Sequence, residues 1–170
     1  MKTMMKYAPL AVVVGVLTGV LMAPAQADTD TQSFKVKLTV TSTCDIHTAD
    51  ATDVDFGSHK STEATATADG SLTVNCTNGT AYQIGLNNGD NYAGGSRNMK
   101  NTSGTETVAY TLWQDAGRTE AWGDTLGTDT LAGAGTGAAQ VIPVYGKVAL
   151  STQNLKAASY EDTVTATVTY

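Results

Sequence analysis

Hydrophobic and polar residues alternate over residues 34–40, close to the start of the chain. Every second side chain there is apolar, and the side chains between them are lysine or threonine. Because successive side chains of a β-strand point to opposite faces, this period of two predicts a strand with one apolar and one polar face. A short polar spacer separates the strand from Cys44, so it can complete its own domain or a neighbouring one. Its apolar face is formed by Phe34, Val36, Leu38 and Val40.

Further short strands are predicted along the rest of the chain, bounded by stretches rich in glycine, asparagine and other turn residues. No sustained apolar repeat with helical spacing is present beyond the first 27 residues, so any helix is expected to be short. The predicted strands cover residues 53–57, 70–76, 81–87, 108–113, 141–148 and 161–170. The stretches 58–69, 88–104 and 126–139 are predicted to be loops or exposed edges.

Two positions carry more specific local predictions. Asn78 and Gly79 both tolerate a positive φ, which predicts a hairpin turn ahead of the strand at 81–87. Pro143 has no backbone N–H to donate to a ladder, so it is expected at a sheet edge or a bulge.

Composition narrows the fold class. The chain holds 29 threonines and 17 glycines but only three prolines, and many of the threonines alternate with apolar residues. Such residues suit pleated, half-buried surfaces better than helices. Seven or eight short strands in a chain of this length predict an all-β, two-sheet sandwich of immunoglobulin-like build, with a closed barrel as the alternative.

The first 27 residues have the three parts of a secretory signal peptide. Basic Lys2 and Lys6 come first, an apolar run covers residues 8–22, and a small-x-small cleavage site follows at 25–27. A retained membrane anchor is the alternative, but the run is shorter than the ~20 residues that span a bilayer. We expect cleavage before Asp28.

Charge excludes some partners. Removal of residues 1–27 leaves eight of the ten basic residues and all 16 acidic ones, so the formal net charge becomes 8 − 16 = −8. A phosphate-binding surface needs clustered lysine and arginine, and none is present. Nucleic acid and anionic lipid are therefore not expected as partners.

Cys44 and Cys76 are the two cysteines of the chain. In an exported protein such a pair favours one disulfide. The alternative is a zinc site in which His47 and His59 join the two thiolates, but the irregular spacing argues against it.

Enzymatic and cofactor sites are weakly supported. Ser58 and His59 are neighbours in the sequence, and this local pair does not indicate a Ser-His-Asp catalytic triad. No Gly-x-Ser-x-Gly nucleophile elbow is present either. The glycine-rich residues 133–137 do not open a helix after a strand, so a flexible loop is expected. We expect neither enzymatic activity nor a cofactor. One acidic stretch contains Asp50, Asp53 and Asp55. It lacks the ligand spacing and the glycine of a calcium loop.

The aromatic residues allow a carbohydrate-binding interpretation, since aromatic rings stack on the apolar faces of sugars. The shared parity of Tyr110 and Leu112 places one face of their strand in the core, so packing in the core or at a subunit interface is favoured over ligand binding. The candidate sugar face consists of Tyr92, Tyr110, Trp113 and Trp122.

Several stretches in order along the chain resemble one family. They are Phe34-Lys-Val-Lys-Leu-Thr-Val ahead of Cys44, Val54-Asp-Phe-Gly, Leu72-Thr-Val-Asn-Cys, Met99-Lys-Asn-Thr before Val108-Ala-Tyr, Asp115-Ala-Gly-Arg-Thr, Ile142-Pro-Val-Tyr-Gly and Tyr160-Glu-Asp-Thr-Val running to Tyr170. Together they resemble the spore coat protein U domain and, within it, the major pilin subunit of archaic Csu-type chaperone-usher pili.

The resemblance implies an incomplete immunoglobulin-like β-sandwich that a donated strand completes. In such pili a periplasmic chaperone first lends a strand, and an outer-membrane usher exchanges it for the N-terminal extension of the next subunit. It implies a donor-strand extension at residues 28–41, with its inward face at Phe34, Val36, Leu38 and Val40, and a pilin domain at 42–170. A disulfide between Cys44 and Cys76 agrees with this family resemblance. The C-terminal strand expected to contact the chaperone presents Val164, Ala166, Val168 and Tyr170.

The function implied is that of a structural subunit of a fimbrium, exported through the periplasm to the cell surface and supporting adhesion and biofilm formation. Its partners would be the chaperone, the usher and other copies of itself or related pilins. Two alternatives stay open, a secreted spore-coat or matrix protein of the same domain family and a carbohydrate-binding adhesin module. The long loops at 88–104 and 126–139 leave major and minor subunit roles open.

Overall fold

A computed structural model of the chain describes residues 26–170. The predicted signal peptide lies almost entirely outside the described residues. Within the described residues, no helix is long and apolar enough to cross a membrane. The chain divides into two units at Leu38 and Thr39, and each is described by itself.

The larger unit is all-β, and its strands form two sheets. One sheet has six strands in the order β1-β2-β7-β5-β4-β8, and the other has three in the order β6-β3-β9. All pairings between neighbouring strands are antiparallel. The strands are β1 Cys44–Asp45, β2 Thr65–Cys76, β3 Ala81–Leu86, β4 Arg97–Asn101, β5 Thr107–Trp113, β6 Leu131–Ala134, β7 Ala139–Ala149, β8 Tyr160–Glu161 and β9 Ala166–Thr169.

The long ladder between β2 and β7 forms the centre of the six-stranded sheet. Its register pairs Val74 with Gln140 and Ala66 with Val148. Even-numbered positions of β2, β5 and β7 include the most buried residues of these strands, so this parity defines the core face of the sheet. The all-β prediction is confirmed, and the core of the sandwich forms where this face meets β3.

The second sheet is built around β3, whose Tyr82, Ile84 and Leu86 are buried. Trp122 closes one side of the core at 1% exposure, and its indole N–H donates to the carbonyl of Ile84 at 2.8 Å. A buried indole N–H needs such a partner. This bond fixes the loop after β5 against the second sheet.

The segment after β1 changes from one layer to the other. Thr52 forms a bridge with Ser71 at the edge of β2. Farther along, Val54 and Phe56 lie over the core-face glycines Gly70 and Gly146, where a Cβ would overlap them. Segment 53–57 therefore lies on the core face of the six-stranded sheet, where the second layer of the sandwich is.

Two predictions of local structure were wrong, and a third holds only in its second alternative. Residues 65–69, predicted as a loop or an exposed edge, form the first half of β2 and pair with β7 on one side, while their other side has no ladder partner among the described residues. Residues 53–57 form no ladder among the described residues, although Gly57 ends the segment with φ +71°. The Asn78–Gly79 turn exists, with Gly79 at φ +79°, but it joins two sheets and is not a hairpin.

Two strands lie inside stretches predicted as loops. β4 is polar, and its core-side positions include only one apolar residue, Met99. β6 is built from small residues, and Tyr82 of β3 packs over its Gly133. Neither strand carries apolar alternation, which explains why the pattern did not indicate them.

The prediction for Pro143 is confirmed. The ladder of β7 with β5 covers only Tyr145 to Val148, so Pro143 lies in the part of β7 that has β2 as its one neighbour among the described residues. Its partner Ser71 exchanges hydrogen bonds with Thr52 on the other side. The missing N–H of Pro143 therefore interrupts no ladder.

Candidate subunit-assembly site

The N-terminal segment displays an apolar row to solvent. Residues 26–43 have no ladder partner within the part of the chain that the structure describes. Four large apolar side chains in the segment are 71–88% exposed, whereas a soluble chain normally buries such a row. The assignment of this segment as a donor strand stays a prediction. The exposed side chains are Phe34, Val36, Leu38 and Val40.

At the opposite end of the sequence, β9 pairs with β3 by one edge only. Val168 pairs with Ile84, and Ala166 pairs with Leu86. The other edge of β9 has no strand beside it among the described residues, so its backbone groups on that side are free to pair.

Burial alternates along this C-terminal segment. Val164, Ala166 and Val168 are half-buried and pack against the core, while the threonines between them are exposed. Tyr170 is 60% exposed. Three of the four residues of the predicted face therefore pack against the core, and Tyr170 does not. Their contact with a chaperone stays a prediction.

The core of the larger unit is incompletely covered. Leu72 and Ile142 pair across β2 and β7 on the core face, yet both keep part of their surface exposed. In the second sheet, Ile84 is fully buried, whereas its partner Val168 is not. A sandwich closed on all sides would bury such core-facing residues. The second layer of three strands is thus too narrow for the six-stranded sheet beneath it.

A carboxylate at the entrance to β9 holds this edge in place. The hydroxyl of Tyr110 donates to Asp162 Oδ2 at 2.6 Å, and the backbone and side-chain N–H groups of Asn91 donate to Oδ1 at 3.1 and 2.9 Å. Burial, and then the bond to Asp162, raises the pKa of Tyr110 above its usual range. Because the phenol stays protonated, the bond persists at every physiological pH.

Arg97 reinforces the same corner from β4. Its guanidinium donates to the carbonyls of Leu86 at 2.6 Å, Asn87 at 2.8 Å and Trp122 at 2.8 Å. Burial of the guanidinium lowers its pKa. Asn87 in turn accepts from the backbone N–H of Thr165 at 2.9 Å. The end of β3, the loop after β5 and the start of β9 are therefore tied together by side-chain hydrogen bonds.

The two cysteines form a disulfide that closes the start of the folded unit. Cys44 in β1 is bonded to Cys76 at the end of β2, as predicted. Both sulfurs are consumed, so the alternative zinc site loses its thiolate ligands. No group of metal-ligating side chains is found among residues 26–170.

The other sequence candidates have structural roles. His59 lies between the Glu63 carboxylate, 2.8 Å from Nδ1, and the Phe56 carbonyl, 2.7 Å from Nε2, and so fixes the loop ahead of β2. Asp55 accepts from the backbone N–H of Gly57, and Asp50 and Asp53 are exposed. Of the glycine-rich residues 133–137, the first two belong to β6, and the other three lie in the predicted loop, which connects β6 to β7.

The predicted sugar face is divided. Trp122 and Tyr110 are in the core, so packing explains both. Tyr92 and Trp113 line a groove of about 180 Å³ beside β5, which Tyr110 also borders. Tyr92 and Trp113 are therefore the part of the predicted face that lies outside the core.

Sequence patterns did not single out the residues that position the open edge. Arg97 and Asn91 lie in a stretch predicted as a loop. Asp162 stands within the Tyr160-Glu-Asp-Thr-Val164 stretch that supported the family resemblance. A carboxylate directly ahead of an alternating strand was the available signal, but its partners come from distant parts of the chain.

Comparisons with known proteins agree with this architecture. A model of the Spore Coat Protein U domain matches residues 30–167. "Protein U" of Myxococcus xanthus is 33% identical over 174 residues, which cover 95% of this chain and 96% of that protein.

A solved structure has the same fold. It belongs to the CsuC–CsuE chaperone-tip adhesion subunit pre-assembly complex from archaic chaperone-usher Csu pili of Acinetobacter baumannii, with a TM-score of 0.57 at 23% identity over 78% of this chain. The match spans about two fifths, 41%, of the length of that solved chain. With the family model covering most of its length, the chain belongs to the Spore Coat Protein U domain family.

Proposed function

We propose that this chain is a structural subunit of a surface pilus that is assembled by donor-strand exchange in the chaperone-usher pathway. One observation carries the proposal: four large apolar side chains in the N-terminal segment are 71–88% exposed, while the folded unit leaves its own core partly uncovered. Both features are explained if the apolar side chains of one copy are buried in the open core of a second copy.

The physical basis is β-augmentation at the free edge of β9. An incoming strand forms backbone hydrogen bonds with that edge, and its alternate side chains enter the core. Complete burial of each large apolar side chain contributes about 1.5–3 kcal/mol. The register is fixed because a shift by one residue would turn the lysines inward.

The proposal gives each region of the sequence a role. Residues 1–27 are removed on export, residues 28–41 form the donor strand, and residues 42–170 form the acceptor domain. The family match starts at residue 30 and thus includes most of the donor strand.

A chaperone is the first expected partner. An open sheet edge beside uncovered apolar surface promotes aggregation, so the subunit needs a temporary strand until the next copy arrives. Val164, Ala166, Val168 and Tyr170 would lie beside that strand, and an outer-membrane usher would then exchange it for residues 34–40 of another subunit. The shared fold with a solved chain from a chaperone-subunit pre-assembly complex supports a chaperone as the partner.

The resulting fibre lies on the cell surface and supports adhesion and biofilm formation. Nothing in this role needs a cofactor or enzymatic activity. Other copies of the chain and related pilins are its partners within the fibre.

A second candidate function is that of a secreted coat or matrix protein. It is favoured by the identity with "Protein U" over nearly the whole chain. Both functions can use the same strand exchange, but a coat protein needs no usher.

Expression of the chain with and without chaperone and usher genes distinguishes the two candidates. The pilus function predicts thin surface fibres in electron micrographs only when both genes are present. Deposits of polymer formed without the usher would favour the coat function. A stable monomer in both conditions would overturn strand exchange itself.

A further inference from the structure

Gln140 places an unpaired polar atom inside the partly covered core. Its side-chain oxygen Oε1 is buried and has no hydrogen-bond partner among the described residues. Gln140 shares the core-facing parity of Val144 and Val148 in β7. Buried amide oxygens are nearly always paired in complete folds, so this one indicates a donor that residues 26–170 of a single copy do not supply.

Gln140 lies in the six-stranded sheet, near the end of the sandwich at which β9 ends. Gln140 pairs with Val74 near the end of β2, and only four residues separate β2 from β3. At the start of β3, Gln83 pairs with Thr169, the last residue of β9. The C-terminal end of β9 and Gln140 therefore lie at the same end of the sandwich.

The sequence of the N-terminal segment contains a matching donor. Gln32 has the same parity as Phe34 and Val36 and is the next residue on that face, so it enters the core side with them. Its carboxamide has two N–H donors. Further along the same face toward the C-terminus of the segment, Leu38 and Val40 are apolar and have no polar group to offer.

We infer that Gln32 of a second copy donates a hydrogen bond to Oε1 of Gln140 when its segment occupies the open core. The inference rests on the proposed strand exchange. It requires the incoming strand to run antiparallel to β9, because only that direction brings the N-terminal end of residues 32–40 to the end where Gln140 lies.

This direction also matches the lengths of the two strands. From Phe34 to Val40 there are six residue steps, as there are from Val164 to Tyr170. Antiparallel alignment sets Phe34 beside Tyr170 and Val40 beside Val164, so that Gln32 lies two residue steps beyond the position of Tyr170 along the edge. The amide pair thus selects both direction and register, since a slip by two residues would set either Phe34 or Asp30, neither of which has a side-chain N–H, against Gln140.

The test is a double-mutant cycle on polymers of the full chain. Wild type, Gln32→Leu, Gln140→Leu and the double variant are assembled, and the rate of subunit release is measured in denaturant. Gln32→Leu should speed release about tenfold, because it leaves a buried oxygen unpaired. The double variant should return to within a few-fold of wild type, since two leucines replace both polar partners. Ser33→Leu, on the opposite parity, is the matched control and should have little effect.

The outcomes separate this inference from the proposed function. Polymers whose release rates respond additively, or do not respond to Gln32→Leu, would overturn the Gln32–Gln140 pair while leaving strand exchange intact. Failure of the wild-type chain to polymerise would overturn both. If Gln140→Leu does not fold, comparison of Gln32→Leu with Ser33→Leu still decides, because both changes lie outside the folded unit.

Discussion

The hydroxyl of Tyr110 lies 2.6 Å from Oδ2 of Asp162 and donates a hydrogen bond to it. This bond connects the core face of β5 with the segment that leads into β9. The free edge of β9 therefore has a fixed position in the folded unit, which would reduce the ordering cost of the proposed strand exchange.

Removal of that hydroxyl should loosen the edge. Tyr110→Phe leaves the partly buried Asp162 carboxylate with fewer donors and should lower the free energy of unfolding by about 1.5–3 kcal/mol. Tyr160→Phe is the control, because its hydroxyl donates to the Lys156 carbonyl at an exposed site. Urea denaturation of the purified proteins measures both. A loss no larger for Tyr110→Phe than for Tyr160→Phe would contradict the anchoring role.

Two glycines offer a matched test of the same corner. Gly89 and Gly94 both have positive φ, +79° and +63°, so alanine strains the backbone at either position. At Gly89, however, the added Cβ would overlap the Asp162 carboxylate, whereas at Gly94 it meets open space. Gly89→Ala should therefore lower the thermal midpoint more than Gly94→Ala does. Equal shifts in the two melting curves would refute the close contact.

Loss of the disulfide should destabilise the larger unit, whose first strand, β1, begins at Cys44. Cys44→Ser removes a bond between residues separated by 32 positions, which is worth roughly 3–4 kcal/mol on the chain-entropy model. Cys76→Ser and the double variant should match it, because one bond is lost in each case. Denaturation of the wild type with and without reductant provides the comparison, and titratable thiols in the native protein would show that the bond is absent.

The loop ahead of β2 should respond to pH through His59. The hydrogen bond to Glu63, and then that to the Phe56 carbonyl, raises the pKa of His59 above its ordinary value of 6.5. Both ring nitrogens face acceptors, so the charged form is favoured. Its stabilising contribution is complete below pH 6.5 and is lost as the pH rises through the folded pKa. In an NMR titration Glu63→Gln should lower this pKa, and an unchanged value would disprove the ion pair.

Sequence pattern predicted the parts of the fold in which burial alternates along the chain. Leu72 and Val74 in β2, Tyr110 and Leu112 in β5 and the C-terminal strand follow the period of two, because each has one face in the core. The assignment of the whole chain to an all-β sandwich followed from these strands.

The remaining strands could not be predicted because their stability comes from their neighbours. β4 is polar and is held between β5 and β8 by backbone pairing. β6 is short and contains Gly133, which is covered by a tyrosine from β3. Likewise, the side-chain hydrogen bonds of Arg97 and Asp162 join positions far apart in sequence. A local pattern of apolar and polar residues therefore cannot predict them.

The central claim is that even-numbered side chains of residues 34–40 enter a second copy of the chain. The most direct measurement is fibre assembly, scored by electron microscopy together with recovery of the chaperone-bound subunit, for Val36→Asp and Lys37→Asp. A carboxylate buried without a partner costs several kcal/mol, so Val36→Asp should abolish fibres while the subunit is still recovered on its chaperone. Lys37→Asp should leave assembly nearly intact. Equal damage from the two substitutions, or normal fibres from Val36→Asp, would contradict the donor-strand account.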